Sequence, residues 1–365
     1  MPRPRDLAIR IGRLPAGPTS SVLDVPGTGL GHATVVRDEP APPQGRGTAR
    51  TGVTALVLAE DAYERPLAAG GAVLNGAGEC TGFLTASEWG AIETPMYLTS
   101  TMQLGRVYDA ACVLALEGHP AVADDVVIPV VAECDDSFLN DCRRMQVDEH
   151  DVRAAYDAAL ASRGGADPPA TGSVGAGTGM SCLGFKGGIG TASRIVPTGH
   201  TVAVVLLTNF GERERLTVAG VPVGALLPAP GAHTAPDRPA GSCIGVVVTD
   251  APVGSADCHR LARRVGLGLA RTGSTAHHGS GEIFLAVSTT ARTDREGRAL
   301  TDPAARLSGR ALDPLFEAVV DGAEEAVLDS LLSSPTTVGR DGHVSEGLDP
   351  AAVVRLLEEA GRGRH

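Results

Sequence analysis

The chain has 365 residues, 43% apolar and 20% charged, enough to bury one large core or two ordinary ones. Its net charge is −12 with no Lys/Arg block, which argues against nucleic-acid binding, because phosphate contacts need a basic footprint. No apolar run has the length of a signal peptide or a transmembrane helix, so the expected setting is the cytoplasm, with no membrane partner.

Aromatic residues make up only 3% of the chain, so the core has to be built from Ala, Val, Leu and Ile. The 47 glycines and 25 prolines mark many turns, as in a β-rich or mixed α+β fold. Seven cysteines without a CxxC pair give neither zinc spacing nor a disulfide framework and read as small core residues.

In chain order, SSVLDVPGTGLGHATVVRD (20–38) reads as two extended runs around a Gly-rich turn, and GVTALVLAED (52–61) as a further strand. AAGGAVLNGAGECTGF (68–83) reads as a Gly-rich loop. Residues 100–119 have helical periodicity, with Leu104, Val107, Ala111 and Leu114 on one face. DVVIPVVAECDD (125–136) reads as a buried strand, and residues 148–165 as a helix with acids in its first turn and Gly at its end. The Gly-rich segment 171–190 lacks the Gly-Lys-Ser/Thr core of a phosphate loop, since Lys186 is followed by Gly187. It reads as a tight turn between packed strands.

TASRIVPTG and HTVAVVLLTNFG (191–211) pattern as a hairpin, and the Pro- and Gly-rich residues 228–241 as a linker. SCIGVVVTDAPV (242–253) then begins a buried strand. A helix (257–273), a strand (281–290), a long helix (313–334) and a short C-terminal helix follow.

Ser242 therefore opens a buried strand directly after a linker. In most Gly-Ser pairs such a serine is only a strand start. Here a hydroxyl beside its own upstream carbonyl can attack it, giving an ester that water cleaves between Gly241 and Ser242. The new chain would start with a serine whose α-amine, of pKa roughly 7.7–8.0, is a base beside its own hydroxyl.

Around this junction the chain resembles the self-processing L-aminopeptidase/D-esterase/amidase family, which includes the β-peptidyl aminopeptidases and belongs with the N-terminal serine nucleophile hydrolases. The likeness is carried by NGAGECTGF, AIETPMYLTST, VVAECDDSFLND, GSVGAGTGMSCLGFKGGIGTASR, VVLLTNFG, GSCIGVVVTDAP and HHGSGEIFLAVST, in that order. It implies a four-layer αββα sandwich, a single domain spanning 1–365, cut into an α-chain (1–241) and a β-chain (242–365). It also implies small peptide, amide or ester substrates with a free amine, no metal or organic cofactor, and a homo-oligomer of αβ pairs.

The resemblance further assigns Ser242 as nucleophile, with Ser280 and Glu282 orienting and activating it. As residues two apart on a strand, Ser280 and Glu282 would share one face and are expected to point at Ser242. Asn209 matches an oxyanion-hole position, and an amide N–H is a suitable donor there. Glu133 matches a carboxylate that holds the substrate's ammonium. Taken without the resemblance, Ser280 and Asn209 read as turn residues and both glutamates as surface charges. Where some relatives carry Tyr, this chain has Asp135, counted with Glu133 as a candidate substrate-binding residue. A carboxylate cannot stabilise an oxyanion as a phenol does, so rate, preference or the choice of donor differs there. Cys243 is expected to face away from the site. The alternatives are an acyltransferase of the related self-cleaving ornithine acetyltransferase fold, which would use Thr as nucleophile, and a processed protein that binds without catalysis.

Overall fold

The computed structural model describes residues 1–228 and 241–362. The expected linker, apart from its two end residues, lies outside the described residues. The strands are β1 (Gly29–Asp38), β2 (Thr48–Val57), β3 (Leu67–Gly76), β4 (Ala91–Ile92), β5 (Met96–Ser100), β6 (Val130–Cys134) and β7 (Ser181–Cys182). They continue as β8 (Phe185–Lys186), β9 (Ile189–Ile195), β10 (Thr201–Asn209), β11 (Gly241–Thr249), β12 (Ser280–Arg292), β13 (Thr337–Val338) and β14 (Val344–Ser345). The helices are α1 (Leu104–Gly118), α2 (Glu149–Ser162), α3 (Val223–Leu226), α4 (Ser255–Thr272), α5 (Asp313–Leu332) and α6 (Pro350–Glu359). No helix among the described residues is long and apolar enough to cross a membrane.

Two sheets stack face to face. One has four strands in the order β1-β2-β5-β6, and the other six in the order β4-β3-β12-β11-β10-β9. Alternation along each strand divides the apolar side chains among three cores. On β11, Ile244, Val246 and Val248 join Leu56, Leu98, Val130 and Ala132 between the sheets. Cys243 and Val247 face the other way, onto Leu261 and Val265 of α4 and Val319 and Ala323 of α5. On the far side, Val53, Tyr97 and Val131 pack under Val107 of α1 and Val152 of α2. The layers are thus α, β, β, α, the sandwich implied by the resemblance.

Helix α5 carries six acids, and its four buried ones, Asp321, Glu324, Glu325 and Asp329, are all paired with arginines. Arg3 meets Asp329 at 2.8 Å, Arg194 meets Glu325 at 2.6 Å, and Arg271 meets Asp321 at 2.7 Å. A buried charge without such a partner would be strongly destabilising.

Two elements differ from the sequence reading. The first run of 20–38 is not extended: Ser21 caps a single 3-10 turn over Val22–Asp24 by accepting from the Leu23 N–H. The expected loop 68–83 is mostly strand, since β3 is hydrogen-bonded to β12 and β4 within the six-stranded sheet. Gly70 is a close-approach position: a Cβ there would lie 2.4 Å from the backbone nitrogen of His259, so glycine lets α4 settle on the strand. The 171–190 segment is a 3-10 turn followed by the β7–β8 hairpin, in keeping with the tight-turn reading.

Candidate active site

Ser242 is the second residue of β11, between β10 and β12. The antiparallel register sets it opposite Asn209, and the parallel register opposite Gly281. Its side chain shares the inter-sheet face with Ile244, at the end of the sandwich. It is 4% exposed, and its hydroxyl makes no hydrogen bond of good geometry among the described residues. Gly241 is tightly placed: a Cβ there would lie 2.8 Å from both the Asn209 carbonyl oxygen and the Phe210 Cα.

Asn209 ends β10 with its amide fixed at both ends. Its Oδ1 accepts from the Ser181 N–H at 2.9 Å, and its Nδ2 donates to the Asp135 carbonyl at 2.8 Å. An amide nitrogen has two N–H groups, so one remains for the space beside Ser242.

Ser280 and Glu282 do share one face, and the Ser280 hydroxyl donates to Glu282 Oε1. That face is not the expected one. Ser280 pairs with Gly241 and Glu282 with Cys243, and laterally paired residues project to the same side of a sheet. The two therefore lie on the side of Cys243, toward α4 and α5, and flank residue 242 from its main-chain side rather than from its hydroxyl. The pair is buried, and among the described residues Glu282 Oε2 has no hydrogen-bond partner. Burial holds the Glu282 carboxyl above the usual carboxylate range, opposed by the Ser280 hydroxyl and by His277. Asn75, opposite Glu282, secures the turn before β12 by donating to the carbonyls of His277 and Ser280.

Glu133 lies one residue from the end of β6 and is 3% exposed. Its Oε1 accepts from the Glu79 N–H at 2.8 Å, and its Oε2 accepts from the Thr101 hydroxyl. Burial raises its pKa against those two donors, with Asp135 and Glu79 adding to the rise. A Cβ on Gly78 would stand 3.2 Å from Glu133 Oε1 and 3.8 Å from the Cα of Gly281, the neighbour of Ser242. A missing side chain thus separates the carboxylate from β12, the strand beside Ser242.

Asp135 contributes differently from its expected role. Its carboxylate is exposed and accepts from the N–H and hydroxyl of Ser137, while its main-chain carbonyl holds Asn209. With Asp136 and Cys142 it forms a group whose ligand atoms lie within 4.8 Å of one another. Burial pushes the Asp136 carboxyl up to about 7, and it accepts from Asn140 at 3.1 Å.

The profile of Peptidase family S58 matches residues 20–345. The chain belongs to peptidase family S58. The family resemblance read from the sequence is borne out, and the chain is a hydrolase of the peptidase class. β-Peptidyl aminopeptidase BapA of Sphingosinicella microcystinivorans is 35% identical over 98% of this chain and 92% of its own length. A β-aminopeptidase from Burkholderia sp. superposes with a TM-score of 0.88 at 36% identity, covering 99% of each chain. The L-aminopeptidase D-Ala-esterase/amidase of Ochrobactrum anthropi, described as a prototype for the serine aminopeptidases and a variant of the Ntn hydrolase fold, gives 0.89 at 32% identity, again covering 99% of each chain. These likenesses favour the peptidase reading over the acyltransferase and non-catalytic alternatives.

Sequence reasoning missed several parts of this family S58 site. The Cys134 thiol lies against the Ser242 hydroxyl. Burial lifts that thiol well above its ordinary value, Glu133 adds to the rise, and the serine opposes it. Strand alternation after Glu133 is the signal that could have found it, because it turns residue 134 to the opposite face. Thr101, Gly78 and the Ser181 N–H gave no comparable signal, since they act through contacts distant in sequence.

Proposed function

We propose that this family S58 peptidase is a self-processing serine aminopeptidase that removes an amino-terminal residue from short peptides, amides or esters. The observation that carries the reading is the placement of the buried Ser242 between the Asn209 amide on its hydroxyl side and the Ser280–Glu282 pair on its main-chain side. In the first reaction the Ser242 hydroxyl attacks the Gly241 carbonyl. The resulting ester is hydrolysed, leaving an α-chain (1–241) and a β-chain (242–365). In the second reaction the α-amine of Ser242 takes the hydroxyl proton as the oxygen attacks the substrate carbonyl. The amine then returns the proton to the leaving group, and water releases the acyl group by the same route.

Asn209 donates to the developing oxyanion. Ser280 and Glu282 meet the new amine from the main-chain side, and the negative Glu282 raises its pKa. Glu133 receives the substrate ammonium, which is what restricts the enzyme to free amino termini. Two αβ pairs or more assembling in the cytoplasm complete the reading.

The test is the intact mass of the purified protein and of Ser242→Ala. The native protein is expected as two polypeptides, one beginning at Ser242, and the variant as one. A variant that still splits at this bond without added protease removes Ser242 from the mechanism.

A further inference from the structure

Lys186 is the only lysine in the chain; every other basic side chain apart from histidine is arginine. It is fully buried. Its ammonium donates to three main-chain carbonyls: Gly177 at 2.9 Å, Met180 at 2.7 Å and Gly187 at 2.7 Å. Three convergent carbonyls match the three donors of a compact ammonium, which a planar guanidinium cannot reproduce. Burial brings the Lys186 pKa down to about 7, against the pull of Cys182 and Asp136.

The three acceptors belong to the loop that grips the end of β10. Gly188 accepts from the Thr208 N–H at 2.9 Å, and the Leu183 N–H donates to the Phe210 carbonyl at 2.5 Å. Between those two points, the Ser181 N–H donates to Asn209 Oδ1. The Met180 carbonyl and the Ser181 N–H are two ends of one peptide plane. Lys186 holds one end, and Asn209 hangs from the other. With Oδ1 fixed there and one Nδ2 hydrogen on Asp135, the amide has a single orientation toward Ser242.

We propose that Lys186 is a positioning residue for the peptidase reaction, fixing the Met180–Ser181 peptide so that it aims the Asn209 amide at the oxyanion. The proposal rests on the reading of Asn209 as oxyanion donor. A double-mutant cycle on mature enzyme tests both and tells them apart. Wild type, Lys186→Met, Asn209→Ala and the double variant are compared with an aminoacyl p-nitroanilide. Asn209→Ala is expected to lower kcat about 10²- to 10³-fold. Lys186→Met is expected to lower kcat about 10- to 100-fold, as a displaced catalytic group does, with KM within about twofold. The double variant should be no slower than Asn209→Ala, because the lysine acts through that amide.

If the two losses multiply in full, Lys186 only supports the fold and the proposal is overturned while Asn209 keeps its role. An unchanged kcat in Asn209→Ala removes the oxyanion reading, and the proposal with it. Where a variant does not mature, the question passes to crystal structures of Ser242→Ala with and without Lys186→Gln, whose amide retains two donors. Separation of Asn209 Oδ1 from the Ser181 N–H in the Gln variant supports the proposal, and an undisturbed contact overturns it.

Discussion

At the scale of single residues, Glu133 and Gly241 make the sharpest tests. An ammonium pairs with Glu133 only while the carboxyl is ionised, and burial raises the pH at which ionisation occurs. KM for free-amine substrates should therefore rise as pH falls through a value above the ordinary glutamate range. Glu133→Gln should raise KM about tenfold or more and flatten that dependence, while self-cleavage, which presents no free amine, continues. Equal loss of both reactions would assign Glu133 to folding instead. At Gly241, an added methyl meets the Asn209 carbonyl and Phe210, a clash of a kind that costs about 1–3 kcal/mol. Gly241→Ala should slow maturation several-fold, read as persistence of the full-length band over time. Glu282 bears on the acid limb of kcat, which is expected within about one or two units of the free α-amino value near 8. Glu282→Gln should move that limb down in correctly matured enzyme; an unmoved limb would separate Glu282 from the amine.

At the scale of elements, the hairpin β9–β10 and the strands β11 and β12 were legible because their apolar runs are long and bounded by turn signals. Strand β3 was not, because Gly70 answers to the backbone of α4 and Gly71 to the side chains of Phe83 and Ser87 rather than to local turn chemistry. The resemblance alone put forward Ser242, Asn209, Glu133, Ser280 and Glu282 as the candidate site. The face of Ser280 and Glu282 was not legible, since a strand's own alternation fixes which residues share a side, while the partner strand's register fixes whose side it is. Helix α5 carries its own prediction. Asp329 binds the Arg3 guanidinium and the Thr191 N–H, so Asp329→Ala leaves a buried cation unpaired. In the Ser242→Ala precursor this should cost about 3–5 kcal/mol in denaturant unfolding. A loss below about 1 kcal/mol would mean that Arg3 finds water instead.

At the scale of the whole molecule, the proposed cut divides the chain without dividing the fold. Strands β11 and β12 sit between β10 and β3, which belong to the other piece. Arg3 and Arg194 of one piece are buried against Asp329 and Glu325 of the other. Breaking one peptide bond removes none of these contacts. The two polypeptides should co-elute in gel filtration and separate only under denaturing conditions. Their separation in native buffer would contradict this account of the interface.

The one buried lysine also determines what amine-directed reagents can reach. With no ε-amine on its surface, the folded protein offers an acylating ester only the α-amines at chain ends. The proposed cut would add one such end, at Ser242. Tags per molecule, counted on native protein, would then follow processing directly. The speed at which reagents of increasing size reach the Ser242 amine would gauge the width of the path that a substrate must take.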